Sequence, residues 1–336
     1  MAPPKLALAH LPTPLFRSDA LDALVGTRVW VKRDDMTGGA EAGNKIRKLE
    51  YLLAAALEQG ADTVITCGGF QSNHARATAL LARRLGLRPV LLLRTLASPP
   101  PKPNDGNALI DVLAGAEVRA ISPEQYRGRE ALMADVAREL TASGARPYVI
   151  PEGGSNGLGS LGYVDAMREV SEQLARGEQG APPRVDAVVH ACGSGGTAAG
   201  AALGAAMHGV ASSVLAMAVC DDTAYFERVT ARLIAEAQSL CGAVGVSPSL
   251  RIIDAYKGPG YAVATREQLR FIGDVARASG LVLDPVYTGK ALYGLSQLAD
   301  KPKTALFLHT GGLPGLFAQG DALLDAQPSA TVSDTW

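Results

Sequence analysis

The stretch DTVITCGGFQSNHARATALLARRLGLRPVLLLR, residues 62–94, decides the fold class. Residues 62–69 read as a strand that ends in glycines, residues 74–87 as a helix, and residues 88–94 as a second strand. Neither strand alternates apolar with polar side chains. An unbroken apolar run is what a strand needs when both of its faces are buried, and a helix between two such runs predicts parallel pairing. The pattern recurs in RVWVKRDD (28–35), EVRAI (117–121), RPYVIPEGG (146–154), DAVVHACGSGG (186–196), VLAMAVCDD (214–222), RIIDAY (251–256) and TALFLHTGG (304–312). The chain is therefore read as α/β. Several of these strands run into glycines or polar residues, and the carboxyl ends of strands are where open α/β sheets bind ligands.

At 336 residues and 47% hydrophobic, the chain can bury a large core, and its length suggests two domains. The Pro-rich LASPPPKPNDG (96–106) and the polar EQGAPPR (178–184) are candidate linkers, and PSATVSDTW reads as a frayed tail. Thirty-two Lys and Arg against 33 Asp and Glu leave a net charge of −1, so neither nucleic acid nor an acidic membrane surface is expected as a partner. Cys67, Cys192, Cys220 and Cys241 are scattered, as are the five histidines, with no metal-ligand spacing; neither a disulfide framework nor a metal site is expected. The apolar run near the N-terminus is too short for a signal peptide, and no stretch is long enough to span a membrane. A reducing, cytoplasmic location is the expectation.

EAGNKIRKLE (41–50) crowds Lys45, Arg47 and Lys48 into the first turn of a helix that Asn44 would cap. Ile46, Leu49, Leu53 and Leu57 give that helix an apolar face. A helix N-terminus favours anions, so each cation there costs a few tenths of a kcal/mol. The plain reading is solvated surface charge beside Glu41 and Glu50. The functional reading is an anion site, or a lysine held near neutrality so that its amine is nucleophilic.

CGSGGTAAG (192–200) follows the strand DAVVHA and opens a helix, an arrangement in which backbone N–H groups cradle a phosphate. Gly193, Gly195 and Ala198 also satisfy the loose dinucleotide fingerprint, and Asp221–Asp222 stand about where a ribose-binding acid would. The motif alone does not separate a dinucleotide from a simple phosphate ester. Its company does: hydride transfer has no use for the cations of 45–48, whereas an aldehyde cofactor bearing a phosphate needs both a lysine and a phosphate cup.

GNKIRKLEY, CGGFQSNHARA, IPEGGSNGLGSLGY, GSGGTAAG, LDPVYTGKAL and LHTGGLPGLFA together resemble the pyridoxal-phosphate lyases of fold type II. Within that fold they are most similar to the D-cysteine desulfhydrase / 1-aminocyclopropane-1-carboxylate deaminase family, from about Leu11 to Phe317. The resemblance implies two open, twisted, mostly parallel sheets, each flanked by helices, with pyridoxal 5′-phosphate in the cleft between two domains. Residues 1–47 plus 158–330 would form the large domain and 48–157 the small one, with 331–336 a tail. A homodimer is implied in the same way.

Carried over by motif, Lys45 would bond the cofactor aldehyde as a Schiff base and serve as catalytic base, while Lys48 would reach the phosphate. Asn73 would hold the pyridoxal 3′-oxygen, and Gln71 and Ser72 would face the substrate and its carboxylate. Cys192, Gly193, Ser194, Gly195, Gly196 and Thr197 would supply the phosphate loop, with Gly154 and Ser155 on the substrate side. Tyr287 would lie beside the ring and Tyr261 in the substrate pocket. Taken singly, Tyr261 and Tyr287 read as core or rim residues, His74 and His309 as packing residues, and Cys192 as a small apolar filler.

The family's deaminases carry Glu after the Tyr of the DPVYEGK motif, paired with the pyridine nitrogen, and an apolar residue after the later His. Thr288 and Thr310 occupy these positions here. A carboxylate keeps the pyridine nitrogen protonated and makes the ring a strong electron sink, which opening a cyclopropane requires. A hydroxyl supports a weaker sink, sufficient where a leaving group already sits on Cβ. The resemblance thus implies a carbon–sulfur lyase that converts D-cysteine and water to pyruvate, hydrogen sulfide and ammonia. L-cysteate sulfo-lyase and 1-aminocyclopropane-1-carboxylate deaminase are the near alternatives, and an NAD(P)-dependent oxidoreductase the remote one. Glu152 departs from the family pattern, where an apolar residue is usual, and Ile46 where Thr is.

Overall fold

The computed structural model describes residues 3–328, and the tail assigned to 331–336 lies outside the described residues. Ten strands form two sheets: β1 (Leu15–Arg17), β2 (Arg28–Lys32), β3 (Thr63–Gly69), β4 (Arg88–Arg94), β5 (Glu117–Ile121), β6 (Pro147–Val149), β7 (Val185–Cys192), β8 (Ala211–Ala218), β9 (Leu250–Ile253) and β10 (Thr304–Leu308). The six-stranded sheet has the order β1-β2-β10-β7-β8-β9, and the four-stranded sheet the order β5-β4-β3-β6. Every pairing is parallel except β1 with β2. Each run read as a strand from the sequence forms one. β1 was not legible, because LFR is three residues long and lies between a Pro and a helix cap.

Side-chain parity shows why the strands lack polar alternation. In the larger sheet Val29, Val31, Ala187, Val189 and Phe307 pack with helices Asp19–Val25, Arg266–Ser279 and Thr288–Gln297. Their neighbours Trp30, Val188, Leu306 and Leu308 point the other way, into helices Gly157–Ala175 and Gly196–His208. In β4, Val90 and Leu92 meet helix Arg129–Ala142, and Leu91 and Leu93 meet helix Asn73–Arg84. The inner strands are covered on both faces, so both of their side-chain sets must be apolar, whereas the edge strand β5 alternates and exposes Val118. No helix among the described residues is long and apolar enough to cross a membrane.

The candidate linkers are not connections between the sheets. Residues 96–106 join β4 to helix Gly106–Leu113 and so to β5, its neighbour in the same sheet. Residues 178–184 lead from helix Gly157–Ala175 into β7 through a short 3-10 turn. Proline and polar residues marked exposure there, not a domain boundary. The chain crosses from one sheet to the other through helices Lys45–Glu58 and Gly157–Ala175.

Helix Lys45–Glu58 begins where its motif predicts, but its buried stripe is Ile46, Leu49, Leu52, Leu53 and Ala56; Leu57 is 38% exposed. Two glycines fix its depth. A Cβ at Gly162 would lie 2.2 Å from the Arg47 carbonyl, and one at Gly200 would lie 2.1 Å from the Ser160 carbonyl. The three helices therefore touch backbone to backbone, which holds Lys45 against the end of the Gly196–His208 helix.

Candidate active site

The carboxyl ends of β3, β4, β7, β8 and β10 surround a cavity of about 730 Å³. Gly68, Gly69 and Arg94 border it from the smaller sheet; Ala191, Cys192, Gly193 and Thr310 border it from the larger.

None of the three cations of 45–48 is a solvated surface charge, so the plain reading fails for all of them. Lys45 lines the cavity, donates to Asn44 Oδ1 at 3.0 Å and lies 6.0 Å from the centre of the Tyr287 ring. Burial, helped by the Arg76 charge, lowers its amine to about 8; Asp284 and Glu152 pull the other way. The depressing cation is thus Arg76, buried three residues beyond Asn73, rather than Arg47. Lys48 is buried and donates to the Gly153 carbonyl (3.1 Å) and Ser155 Oγ (3.3 Å). Burial, with Lys45 nearby, also depresses its amine strongly.

Arg47 faces away from the cavity into a buried ion cluster. Its guanidinium donates to Asp34 at 2.9 and 2.8 Å and to Glu169 at 3.0 and 3.1 Å. Tyr163 donates to Asp34 at 2.6 Å, and Lys32 pairs with Glu169. Burial alone would raise the Asp34 carboxyl, but Arg47, Lys32 and the Tyr163 hydroxyl together outweigh it and leave the group below the ordinary carboxylate range. Arg47 is therefore part of a buried structural ion pair. Asn44 does not cap the helix with its side chain; its amide donates to Thr197 Oγ1 at 3.0 Å, joining the Lys45 turn to the phosphate-type loop.

At that loop Ser194 Oγ and Ser155 Oγ lie 2.8 Å apart, and the Gly196 N–H donates to Ser155 Oγ at 3.2 Å. Gly195 takes φ +86° and starts the Gly196–His208 helix. A Cβ on Gly196 would fall 2.8 Å from Lys48 Nζ and 2.7 Å from Ser155 Oγ. Hydroxyls, an amine and a helix N-terminus converge there, a donor set suited to a phosphate. Asn73 lines the cavity, and its Oδ1 is buried with no partner. An unpaired buried carbonyl on a residue that lines a cavity is costly, which argues for a ligand donor nearby.

Tyr261 and Tyr287 share a hydroxyl–hydroxyl contact of 2.8 Å on the cavity wall. Burial raises Tyr261 to about 12 and pushes Tyr287 well above its ordinary value, so near neutral pH both act as phenol donors and not as bases. Ser72 lines the cavity and accepts from Ala75 N at 3.2 Å, leaving its own proton free to donate. Burial raises Cys192 to about 12 and keeps it a thiol, consistent with filler. His74 is held neutral by burial and contacts Thr66 Oγ1 at 2.8 Å; His309 Nδ1 accepts from Gly311 N at 3.3 Å, and its Nε2 meets the Val282 carbonyl at 2.9 Å.

The cavity has Lys45, Ser72, Asn73, Ser155, Cys192, Gly193, Ser194, Gly195, Thr197, Tyr261, Tyr287 and Thr310 on its wall. Lys48 and Gly196 stand immediately behind it. Three expected residues are placed otherwise. Gln71 turns to helix Gly106–Leu113: its Oε1 accepts from Asn107 N at 2.7 Å and its Nε2 donates to Asp105 at 2.8 Å. Gly154 packs on Leu52, and Gly153 takes the wall position. Thr288 is fully buried and donates to Asp284 Oδ1 at 2.6 Å, so of the two discriminating threonines only Thr310 borders the cavity.

Residues 6–311 match the family of pyridoxal-phosphate dependent enzymes. The chain belongs to that family.

The bifunctional D-cysteine desulfhydrase/1-aminocyclopropane-1-carboxylate deaminase of Arabidopsis thaliana, a mitochondrial protein, is 46% identical over 328 residues, covering 94% of this chain and 80% of the relative. A D-cysteine desulfhydrase of Yersinia enterocolitica is 38% identical over 325 residues, with 94% and 96% covered. The crystal structure of an ACC deaminase homologue, 39% identical, superposes with a TM-score of 0.87 over 96% of each chain. Maize serine racemase, at 17% identity and a TM-score of 0.62, shares the fold. This pyridoxal-phosphate enzyme is thus of fold type II, and the donor set fits its cofactor: Lys45 for the aldehyde, Asn73 for a ring substituent, and Lys48 with residues 194–197 for the phosphate.

The sequence reading did not find Asp284, Arg94, Tyr126 or Arg129. Asp284 accepts from Val286 N, Tyr287 N and Thr288 N at 2.8–2.9 Å and so folds the loop that presents Tyr287. Its signal was the Asp of DPVYTGK. Tyr126 lies in the short helix Pro123–Arg127 and Arg129 opens the helix Arg129–Ala142, neither marked by a motif; they bind Glu152, with Arg129 at 2.8 Å, which accounts for a carboxylate at that position.

Proposed function

We propose that this chain is a β-eliminating lyase whose principal reaction is desulfhydration of D-cysteine to pyruvate, hydrogen sulfide and ammonia. The observation that carries the reading is Thr310: the discriminating position on the cavity wall offers a hydroxyl, and Asp284, the acid nearest to Thr288, already accepts from three backbone N–H groups and the Thr288 hydroxyl. No carboxylate stands at 288 or 310 to protonate a pyridine nitrogen.

When bound, pyridoxal phosphate supplies the electron sink that acidifies the α-proton of an amino acid. The chain's own groups divide the remaining work. Lys45, titrating near 8, is neutral in a useful fraction at physiological pH and is suited to accept a proton at Nζ. Ser72 and the first turn of helix Asn73–Arg84 present donors suited to a carboxylate. In the Tyr261–Tyr287 pair one hydroxyl donates to the other, which leaves one phenol proton on the cavity wall for a departing thiolate. Elimination breaks the Cα–H bond and the Cβ–S bond, with the C–S pair leaving on sulfur.

The name of the Arabidopsis relative favours 1-aminocyclopropane-1-carboxylate deamination as a second activity. A homodimer, and location in a reducing compartment where the four cysteines stay free, complete the proposal. The test is a side-by-side assay of D-cysteine, L-cysteate, D-serine and 1-aminocyclopropane-1-carboxylate on protein whose visible absorption band is abolished by borohydride and absent in Lys45→Ala. Preferential sulfide and pyruvate from D-cysteine is expected. Release of 2-oxobutyrate from the cyclopropane with equal or higher kcat/KM would overturn the threonine argument, and faster sulfite release would transfer the assignment to L-cysteate.

A further inference from the structure

We propose that Arg94 is a receptor for a negatively charged β-substituent of the substrate, making an anionic side chain a specificity element of this site. The inference deepens the reading above and rests on it for the substrate being an amino acid.

Four arginines border the cavity: Arg94, Arg127, Arg129 and Arg232. Three have carboxylate partners, Arg127 with Glu124, Arg129 with Glu152 at 2.8 Å and Arg232 with Glu236 at 3.5 Å. Among the described residues Arg94 has no carboxylate within 4.0 Å and donates no side-chain hydrogen bond. Glu130 and Asp221 also border the cavity, but neither reaches it. What holds Arg94 is aromatic: its guanidinium lies 4.5 Å from the centre of the Tyr126 ring and 5.4 Å from that of Tyr261. Stacking on ring faces fixes the plane of a guanidinium while leaving its edge donors free. Five N–H donors held in place without an acceptor, on the wall of a cavity, suit an anion that arrives from outside.

The backbone sets the reach. Arg94 ends β4 and pairs in register with Gly69, the residue from which β3 runs into Gln71–Ser72–Asn73. Phe70 N donates to the Arg94 carbonyl at 3.0 Å, so the two strand ends are locked together. An amino acid with its carboxylate at Ser72 and its α-carbon near Lys45 therefore points its side chain into the space that Tyr261, Tyr287 and Arg94 enclose. Tyr261 links the two ends: it touches the Arg94 guanidinium on one side and the Tyr287 hydroxyl on the other. Thiolate, sulfonate and carboxylate substituents share the chemistry that Arg94 reads; a neutral thioether does not.

The experiment compares Arg94→Gln and Arg94→Lys with the wild type, all loaded with cofactor and checked by the visible band. Inhibition constants are measured for both enantiomers of alanine, aspartate and homocysteate, and kcat/KM for D-cysteine, L-cysteate and S-methyl-D-cysteine. Arg94→Gln is expected to weaken the anionic amino acids and the cysteine and cysteate reactions about 10- to 100-fold, as for a lost charged hydrogen bond, while alanine and the S-methyl compound change less than threefold. Arg94→Lys should recover part of the difference. Equal weakening of alanine would assign Arg94 to the α-carboxylate, and unchanged constants would leave it structural; either overturns the proposal. Because inhibition is read without turnover, failure of the desulfhydrase reading would show as absent sulfide while the anion preference persisted.

Discussion

The lysine that opens this site should be chemically distinct before any cofactor is bound. An amine that titrates at about 8 is about 20% neutral at pH 7.4, whereas an ordinary lysine near 10.4 is about 0.1% neutral, a difference of roughly 200-fold in nucleophilic form. Competitive labelling of cofactor-free protein with 1-fluoro-2,4-dinitrobenzene, followed by peptide mapping across pH 6–11, reads this directly, with exposed Lys102 as internal reference. The Lys45 profile should have its midpoint near 8. Arg76→Gln removes the cation that, after burial, contributes most to the depression, so the midpoint should rise. Arg76 also donates to the carbonyls of Ala40 and Ala42, which lead into the Lys45 turn, so Arg76→Lys serves as the charge-preserving control. A Lys45 midpoint above about 10, or a fall in Arg76→Gln, would refute the argument that burial and Arg76 prepare this amine.

Arg47→Met should destabilise the fold by about 3–5 kcal/mol in urea titrations, because it strands Asp34 as a buried, uncompensated charge; a loss under about 1 kcal/mol would show that the cluster is not coupled. Asp34 and Glu169 are both held below the ordinary carboxylate range, so their contribution should be complete above about pH 5 and fade as pH falls through and below about 4, seen as a loss of Tm absent from Arg47→Met. Gly196→Ala should keep its circular dichroism spectrum but bind pyridoxal phosphate about tenfold or more weakly, because the new methyl meets Lys48 and Ser155; unchanged affinity would move the phosphate elsewhere. Thr310→Val should change the cofactor's absorption and lower kcat, whereas Thr288→Val should mainly cost about 1–2 kcal/mol of stability through the lost Asp284 hydrogen bond. The opposite pattern would reinstate position 288 as the one that addresses the ring.

The sheets were legible because burial on both faces writes itself into sequence as uninterrupted apolar runs. The residues along the Lys45 turn and the 192–197 loop were legible because glycines and cations in those patterns have few structural uses. What composition could not show was direction. Gln71, Ser72 and Asn73 are consecutive, yet two face the cavity and the first turns to a neighbouring helix. Thr288 and Thr310 are equivalent hydroxyls in sequence and differ because Asp284 claims one of them. Arg47 and Lys48 are adjacent cations that helical rotation sends to opposite sides, one to buried carboxylates and one to the phosphate-type loop. Arg94 carried no signal beyond a charge at the end of an apolar strand; its significance lies in what does not pair with it.

The strand order of the larger sheet has a bearing on biosynthesis. β10 is the last of the described strands in the chain but lies between β2 and β7, pairing with both. A nascent chain that has not yet released Thr304–Leu308 holds two partial sheets with apolar edges facing an empty slot, the kind of edge that recruits other strands. Thr310 lies two residues further on, and its carbonyl receives Asn44 N at 3.1 Å, so this late segment adds the last of the anchors on the turn carrying Lys45, after those from Thr37, Arg76 and Thr197. Chains stopped before Thr304 should therefore aggregate and fail to take up cofactor even though Lys45, Lys48 and the 192–197 loop are all present. Cofactor loading would then act as a checkpoint on translation, reporting that synthesis has passed the residue that closes the pocket.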